Sequence, residues 1–293
     1  MTIIDVHAHP SLYSPISESE ERLNFRMKEM GLGLMSPSDL TVIDKQNDFA
    51  KISKTILLPL DTTTTTGDTL ISNDEIKKLV YLRPERFIGF ASVDPNRADA
   101  LEVLEHAFGT LGLSGLKLNP AKQQFSPDHP DYYPIYEKCL QYDKPIMFHA
   151  GFSWDKNSIS EFAHPFRFER IAIKYPKLRM CLAHFGWPFV KETAILLVKY
   201  PNVYTDTSML YMDSPELFFE QVFTRDMGKY WLDHNFPDKV MFGSNTPRFR
   251  PIRILRGLEK VYMSEKTRSK VLYKNAMRFL GEMGDIDENR ATD

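Results

Sequence analysis

Eight short apolar runs, each followed by a polar loop and then a segment with helical periodicity, organise this sequence. The runs are rich in Ile, Val, Leu and Phe, and their apolar character is continuous, which is typical of parallel strands covered on both faces. They are Ile3–Ala8, Thr55–Leu60, Phe87–Val93, Gly115–Asn119, Pro145–Ala150, Arg179–His184, Val203–Asp206 and Val240–Ser244. The pattern therefore predicts eight strand-helix units.

The intervening segments predict the helices, among them Asp74–Leu82, Asp99–Phe108, Tyr133–Tyr142, Arg167–Tyr175, Val190–Tyr200 and Lys266–Leu280. Eight strand-helix units are what a closed (β/α)₈ barrel requires, whereas a doubly wound sheet more often has five or six strands. We therefore expect an α/β protein with a single (β/α)₈ TIM barrel domain over residues 1–280 and a polar tail over residues 281–293.

Two segments exceed a minimal strand-helix unit. The stretch between the first two strands contains an amphipathic segment, Glu18–Met30, and a helix start at Ser38-Asp39, which together predict a helical insertion after strand one. The second strand is followed by five consecutive threonines within Asp61–Asp68. This run is either a lid loop or a solvated connector, and the sequence does not choose between them.

The composition limits the classes of partner. Of 293 residues, 42% are hydrophobic and 26% charged, and 37 Lys and Arg stand against 39 Asp and Glu, which gives a net charge of −2. This composition is typical of globular proteins. The nearly balanced charge provides no positive electrostatic field that would attract nucleic acid. We expect a small-molecule substrate, no nucleic-acid partner and no membrane partner, while the assembly is left open, with a homodimer as one option.

The location and the redox state follow from similar arguments. No apolar run approaches the ~20 residues of a membrane-spanning helix, and the opening Met-Thr-Ile-Ile-Asp lacks a signal-type pattern. We therefore expect a cytoplasmic protein. The two cysteines, Cys139 and Cys181, lie within predicted elements and are expected to be buried, inert thiols.

Four of the eight histidines fall at the carboxyl ends of predicted strands. Strand one ends in Asp5-x-His7-x-His9, strand five in His149 and strand six in His184. A side-chain period of two puts Asp5, His7 and His9 on one face, and barrel enzymes place their active sites at the carboxyl rim. Divalent metals bind neutral imidazole, so this placement favours a metal site over four unrelated core histidines.

These strand ends resemble the amidohydrolase superfamily, in particular the branch called amidohydrolase family 2. That branch holds aminocarboxymuconate-semialdehyde decarboxylase and resorcylate-type decarboxylases alongside hydrolases and hydratases. The resemblance runs from Ile3 to about Leu280 and rests on Asp5–His9, Pro84–Pro95, Gly115–Pro120, Pro145–Gly151, Ala183–Gly186, Asn202–Asp206 and Phe242–Pro247. It implies a TIM barrel of the metal-dependent hydrolase type, and it is much less specific for the reaction.

The resemblance also implies roles for individual residues. His7, His9 and His149 match metal ligands, most often of one zinc, with manganese as an alternative, and His184 matches the histidine of strand six, which either supports the metal ligands or is catalytic. The family pattern at strand eight is Phe-Gly-Ser-Asp-x-Pro, whose aspartate ligates the metal and commonly takes a proton from bound water. This chain has Asn245 at that position. A neutral amide cannot act as a base near neutral pH, which calls hydrolysis through this residue into question.

Three explanations of Asn245 stay open at this point. A divergent enzyme takes its base from His184 instead, an enzyme of this fold has lost its activity, or an aspartate has been deliberately replaced. Lys117, at the end of strand four, needs an anion if it is buried. Pairing with Asp5 or with a substrate carboxylate is favoured over a carbamylated lysine between two metals, and Asp206 is interpreted as scaffold.

Residues beyond the strand ends complete the predicted site. Arg248 and Arg250 could clamp a carboxylate, although solvated arginines are equally common there. Trp154, Phe152 and Trp187 could stack on a planar ring or pack the loops against the barrel. His164, just before Pro165, is expected to cap a helix in preference to contacting substrate.

The sequence therefore predicts a metal-dependent enzyme. We expect His184 and Asn245 as catalytic residues, His7, His9 and His149 as metal ligands, and Lys117, Arg248 and Trp154 as substrate contacts. The first hypothesis is an amidohydrolase-type hydrolase acting on a small carboxylate, lactone or amide. The alternatives are a non-oxidative decarboxylase of an aromatic or enolic acid and, in a different class, a catalytically weakened small-molecule-binding barrel.

Overall fold

Parallel strands form the centre of the computed structural model, which describes residues 2–33, 35–208 and 212–282. The strands are β1 (Ile3–Ala8), β2 (Ile52–Leu57), β3 (Leu60–Asp61), β4 (Thr69–Ile71), β5 (Phe87–Gly89), β6 (Ala91–Ser92), β7 (Leu116–Leu118), β8 (Ile146–Phe148), β9 (Met180–Leu182), β10 (Val203–Asp206) and β11 (Val240–Met241). A strand lies within or overlaps each of the eight predicted runs.

Backbone hydrogen bonds join all of these strands except β3 and β4 into a ring. Two parallel ladders run in the orders β1-β2-β5 and β6-β7-β8-β9-β10-β11, and β5 and β6 are consecutive pieces of one strand. The Val6 amide donates to the Phe242 carbonyl at 2.9 Å and the His9 amide to the Thr246 carbonyl at 2.8 Å, which connects the last strand to the first. The predicted (β/α)₈ TIM barrel fold is confirmed.

Helices surround the ring. They are α1 (Glu20–Met30), α2 (Leu40–Phe49), α3 (Thr63–Thr66), α4 (Asn73–Leu82), α5 (Ala100–Glu105), α6 (Pro120–Gln123), α7 (Tyr133–Gln141), α8 (Glu169–Lys174), α9 (Val190–Lys199), α10 (Pro215–Glu220), α11 (Trp231–Asn235), α12 (Pro251–Leu258), α13 (Glu265–Ser269) and α14 (Asn275–Leu280). Single π turns extend α5 and α10 and join α13 to α14. No helix in the described ranges is long and apolar enough to span a membrane.

Local sequence signals account for the helix ends that shape the rim. The Ser19 side chain caps α1, and Gly31 ends it in the left-handed conformation (φ 61°) that glycine adopts without strain. Ser72 and Glu75 form a reciprocal capping box at the start of α4. The helices α1 and α2 make up the predicted insertion after strand one.

The second strand and the threonine run depart from the prediction. Strand β2 ends at Leu57, and the chain then pairs β3 antiparallel to β4. The threonines form the short helix α3, whose first amides are held by carboxylates: Asp61 accepts from Thr63 N at 3.0 Å, and Asp94 accepts from Thr64 N at 2.8 Å. The run is therefore an anchored turn, which neither sequence interpretation anticipated.

Two hydrophobic clusters fill the molecule. The larger lies between strands and helices, and the smaller takes residues from successive strands, including Val6, Met147, Cys181 and Met241, together with Phe279 of α14. Cys139 and Cys181 are buried free thiols, as predicted, and burial raises the pKa of each. The predicted single domain over 1–280 stays a prediction, and residues 283–293 of the predicted tail lie outside the described residues.

Candidate metal centre and active site

Four histidines meet at the carboxyl ends of three strands. His7 belongs to β1 and His9 follows it, His149 follows β8, and His184 follows β9. The ring centroids of His7 and His9 are 5.1 Å apart, those of His7 and His184 4.8 Å, and those of His149 and His184 5.1 Å. The structure thus places all four predicted histidines in one group.

The hydrogen positions of His7 and His9 follow from their partners. His7 Nδ1 lies 2.7 Å from the Asp206 carboxylate, and His9 Nδ1 lies 3.1 Å from the Leu58 carbonyl. Both partners only accept, so each neutral ring carries its hydrogen on Nδ1. The two Nε2 atoms face each other at 3.2 Å, and both are then bare, that is, each has a lone pair and no hydrogen.

His149 presents a third bare nitrogen. Its Nε2 is buried and has no hydrogen-bond partner in the described part of the chain, so the ring donates to the Phe152 backbone through Nδ1, which leaves Nε2 with the lone pair. Burial, reinforced by the charge of Lys117, lowers the pKa of His149 to about 3, so the ring is neutral at physiological pH. Burial likewise lowers the pKa values of His7 and His9 well below the ordinary range.

This donor set fits a divalent metal. Two nitrogens at the usual 2.0–2.1 Å from one tetrahedral zinc stand about 3.3 Å apart, close to the separation of the two Nε2 atoms. Neutral imidazoles with Nδ1 held by a carboxylate or carbonyl are the usual form of histidine ligands. His7, His9 and His149 could therefore hold a metal through Nε2.

His184 takes its direction from a strained turn. His184 and Phe185 have φ values of 61° and 51°, in the left-handed region that few residues other than glycine adopt, and Gly186 continues at 60°. The Asp206 carboxylate accepts from His184 N at 2.8 Å, and a Cβ at position 186 would approach Thr193 Oγ1 to 2.1 Å. The turn aims the imidazole at the cleft, which His184 lines.

Asp206 connects two of the histidines. Its Oδ2 accepts from His7, while its Oδ1 accepts from the His184 amide and from the amide and hydroxyl of Ser208. His7, His184 and Asp206 each bring one nitrogen or oxygen within 4.8 Å of the other two. Because Asp206 holds His7 Nδ1, we interpret Asp206 as the residue that orients the metal-binding imidazole of His7. This agrees with the predicted scaffold role.

Ser208 was not identified in the sequence analysis. Its Oγ lies 2.7 Å from His184 Nδ1 and 3.3 Å from His7 Nδ1. The signal that could have found it is its place two residues after Asp206, at a strand end on the rim. A lone serine in such a position is too common to single out, since its partners are distant in sequence.

Asn245 occupies the end of the last barrel strand. It is buried, lines the cleft, and has φ 61°, a left-handed conformation that Asn and Asp tolerate better than most residues. Its backbone N–H donates to the His7 carbonyl at 2.9 Å, which fixes the residue beside the first strand. The neutral side-chain amide therefore lies at the same rim as the bare nitrogens.

The predicted partnership of Lys117 with Asp5 is wrong. The Asp5 carboxylate instead accepts from Ser244 N at 2.9 Å and His7 N at 3.1 Å, and burial raises its pKa to about 7. Lys117 Nζ is buried without a hydrogen-bond partner among the described residues, and burial lowers its pKa to about 8 despite the Asp206 charge. Ile4 and Val6, on either side of Asp5, belong to the smaller core cluster, so alternation along β1 directs the Asp5 side chain to the other face.

A cleft of about 660 Å³ opens over this rim. His9, His149, His184 and Asn245 form its floor, and Trp154 and Arg248 lie on its walls. Trp154 is 71% exposed and packs edge-to-face against Phe152, with centroids 5.4 Å apart. Arg248 donates to the Met30 carbonyl, so it ties the end of α1 to the rim.

Other predicted contacts fall elsewhere. Arg250 precedes α12 and is not among the described residues that line the cleft, and Trp187 packs against the large core cluster. His164 caps a 3₁₀ turn by accepting from the Phe166 amide, as predicted. Sequence reasoning missed Lys122, whose Nζ donates to the Glu29 carbonyl and to Asp155, both at 2.7 Å, and so ties α1 to the loop after β8.

Comparisons with known proteins give consistent results. A family model described as Amidohydrolase matches residues 4–281. The chain is 22% identical over 255 residues to 2-amino-3-carboxymuconate-6-semialdehyde decarboxylase of Dictyostelium discoideum, covering 74% of this chain and 66% of that protein. It is 24% identical over 182 residues to 2-keto-4-carboxy-3-hexenedioate hydratase of a Sphingobium species, covering 51% of this chain and 53% of that protein. The chain thus spans less than two thirds of these relatives.

Solved structures share the fold. An uncharacterised TIM-barrel protein from Bordetella bronchiseptica superimposes with a TM-score of 0.74 at 17% identity, over 96% of this chain and 99% of the other. Dihydroxybenzoic acid decarboxylase from a Polaromonas species, solved with bound manganese and 2-nitroresorcinol, gives a TM-score of 0.62 at 19% identity, over 96% of each chain.

Proposed function

Because this chain belongs to the amidohydrolase family, we propose that it is a metal-dependent lyase that removes carbon dioxide from a small aromatic or enolic acid. The acid carries a hydroxyl next to the carboxylate. The hydrolase hypothesis favoured by the sequence is not confirmed, since the relatives are named as decarboxylases and a hydratase. The decarboxylase alternative fits these names.

Asn245 is the observation that carries the proposal. Hydrolysis needs a group that takes a proton from water, and an amide has no basic site near neutral pH. Decarboxylation needs no attacking water, so a neutral amide at position 245 is compatible with this reaction. An asparagine also leaves the site one unit more positive than an aspartate would, which favours a substrate that brings both a carboxylate and an ionisable hydroxyl.

The charges around the cleft agree with an anionic substrate. Its lining contains four cationic side chains and two carboxylates: Lys28, Lys122, Lys156 and Arg248, with Glu29 and Asp155. Lys117 is buried without a partner among the described residues and is not one of the residues that line the cleft, so it adds positive charge beside the histidines without contacting the space open to a substrate. Trp154 offers an exposed ring surface on the wall for a planar substrate.

His7, His9 and His149 would hold one divalent cation, which when bound polarises the carboxylate and hydroxyl oxygens of the substrate. Manganese is present in the Polaromonas decarboxylase, and the three imidazoles suit zinc equally well. Asn245 contributes no charge to this group. Its role is to shape the floor of the cleft beside His9.

His184 moves the proton. Its ring is neutral because burial lowers its pKa, and with Nδ1 held by Ser208 the basic nitrogen is Nε2. Nε2 takes the proton of the substrate hydroxyl and returns it to the ring carbon that bears the carboxylate. The bond between that carbon and the carboxylate then breaks, its electron pair restores the conjugated ring as the phenolate or enolate, and carbon dioxide leaves.

The test is product analysis with matched substrate panels. Protein loaded with manganese or with zinc is incubated with ortho-hydroxybenzoates and enolic dicarboxylates, and separately with lactones and amides. We expect carbon dioxide and the decarboxylated phenol or enol from the first panel, and no hydrolysis in the second. Hydrolysis without carbon dioxide release would refute the lyase assignment.

A further inference from the structure

We propose that Ser208 is a positioning residue whose hydroxyl fixes the tautomer of His184, so that Nε2, the ring nitrogen that faces the cleft, carries a lone pair and not a hydrogen. The inference rests on the proposed role of His184 as the group that moves the proton. Ser208 is fully buried, and no substrate or metal needs to touch it for this role.

The hydrogen of Ser208 has one consistent place. Its Oγ neighbours Asp206 Oδ1, His184 Nδ1 at 2.7 Å and His7 Nδ1 at 3.3 Å. A carboxylate only accepts, and the hydrogen on His7 Nδ1 is directed to Asp206 Oδ2. The Ser208 hydroxyl therefore donates to Asp206, and its free lone pair accepts from His184 Nδ1.

A second acceptor supports the same assignment. The Ser208 carbonyl lies 3.0 Å from His184 Nδ1, and a carbonyl oxygen cannot donate. If Ser208 donated to His184 instead, the bare Nδ1 would face this carbonyl, and Asp206 Oδ1 would lose its hydroxyl donor. The hydroxyl and the carbonyl of Ser208 thus both accept from His184 Nδ1. This keeps the hydrogen on Nδ1 and leaves Nε2 with a lone pair.

The network also ties His184 to His7. One oxygen of Asp206 holds His7 Nδ1, while the other accepts from both the His184 amide and Ser208. The same carboxylate therefore orients a metal ligand and, through Ser208, the ring that moves the proton. Removing the Ser208 hydroxyl leaves Asp206 and the carbonyl in place, so the expected change is a mixed tautomer in a folded protein.

The test reads the tautomer directly and does not depend on turnover. Zinc-loaded full-length protein with ¹⁵N-labelled histidine is examined by long-range ¹H–¹⁵N correlation, with His184 assigned by the loss of its signals in His184→Asn. The native protein and Ser208→Thr, which keeps the hydroxyl, should show only the Nδ1–H form. Ser208→Ala should show a second population with the hydrogen on Nε2, and Ser208→Cys, a weaker acceptor, replaces it if the alanine variant is insoluble.

Thr207→Val is the matched control. Thr207 carries the adjacent buried hydroxyl, which hydrogen-bonds the backbone of Gly243 just after β11, so its loss should leave the His184 tautomer unchanged. With an active substrate, Ser208→Ala should lower kcat about three- to tenfold, as expected from one hydrogen bond, with KM and zinc content unchanged and kcat restored in Ser208→Thr.

The outcomes separate this inference from the proposed function. A single Nδ1–H tautomer in both Ser208→Ala and Ser208→Cys overturns the positioning role, whatever the turnover. A shifted tautomer in protein that decarboxylates no acid supports the positioning role while the proposed reaction fails.

Discussion

His7 Nε2 lies 3.2 Å from His9 Nε2, and neither nitrogen carries a hydrogen, because each Nδ1 donates to a group that can only accept. Two lone pairs directed at each other repel unless a cation lies between them. The protein fold enforces this contact, since Asp206 and the Leu58 carbonyl belong to the barrel strands or their immediate ends. The pair is therefore built for a bound metal.

Asp206→Asn tests how the metal ligands are held. An amide can turn its NH₂ group toward His7 Nδ1, which would move the ring hydrogen to Nε2 and remove a lone pair from the metal. We expect metal affinity to fall about 10- to 100-fold. Titration calorimetry with zinc measures it, and equal affinity in both proteins would show that Asp206 does not set the tautomer of His7. Thr207→Val provides the control for general disturbance of this strand end.

His184→Asn separates proton transfer from metal binding. The variant should keep its metal content, because His184 Nδ1 bonds Ser208 and its Nε2 is not needed as a ligand. Turnover should fall by about 10² to 10⁴, the usual loss of a general acid or base. Steady-state kinetics with metal analysis decides this, and unchanged kcat would exclude His184 from the mechanism. His164→Asn, at a capping histidine, is the control.

Lys117→Met should stabilise the protein. Burial lowers the pKa of Lys117 to about 8 from its ordinary 10.5, so the unfolded chain binds more protons than the folded chain between these values. The free energy of unfolding therefore rises with pH between these two pKa values. The destabilising contribution of Lys117 is fully present below the lower of them. At pH 7, Lys117→Met should raise the free energy of unfolding by on the order of 3 kcal/mol.

Urea unfolding of the metal-free protein at pH 7 and pH 10 measures this effect. Between the two pH values, the free energy of unfolding should increase less for Lys117→Met than for the native protein. Lys177→Met, at an exposed lysine, should leave both values nearly unchanged. A less stable Lys117→Met protein at pH 7 would mean that the buried ammonium has a stabilising partner.

Asn245→Asp tests the residue that carries the functional proposal. A carboxylate close to a dication should tighten metal binding, and it should weaken binding of an anionic substrate, which raises KM about tenfold or more. Asn245→Gly keeps the left-handed backbone and removes the side chain, and serves as the control. If the aspartate changes neither metal affinity nor KM, Asn245 lies outside the reacting group. Hydrolysis of lactones gained by the variant alone would favour the explanation of lost activity.

The barrel and the four histidines could be predicted because they depend on local pattern. Parallel strands buried on both faces give continuous apolar runs, and the ends of such strands meet at one rim. Strand two was placed three residues late because Leu58 and Leu60 are as apolar as the strand itself, although the chain leaves the ladder after Leu57.

The hydrogen-bond network could not be predicted, since its partners are remote in sequence. Ser208 and His7 are 201 positions apart, and Lys122 reaches back 93 positions to Glu29. The partner of Asp5 was also hidden, because the carboxylate accepts from Ser244, which is 239 positions away in the sequence. The periodicity of the sequence predicts that a residue lies at the rim of the barrel. Its hydrogen-bond partners can be identified only in the folded structure.

The most direct measurement is anomalous diffraction from crystals grown with manganese and with zinc, collected on both sides of each absorption edge. The account predicts one strong peak about 2.0 to 2.2 Å from the Nε2 atoms of His7, His9 and His149, with His184 Nδ1 still on Ser208. A peak bound by His184 and Asp206 instead, or no peak in metal-saturated crystals, would contradict the central claim that the three bare imidazole nitrogens form the metal site.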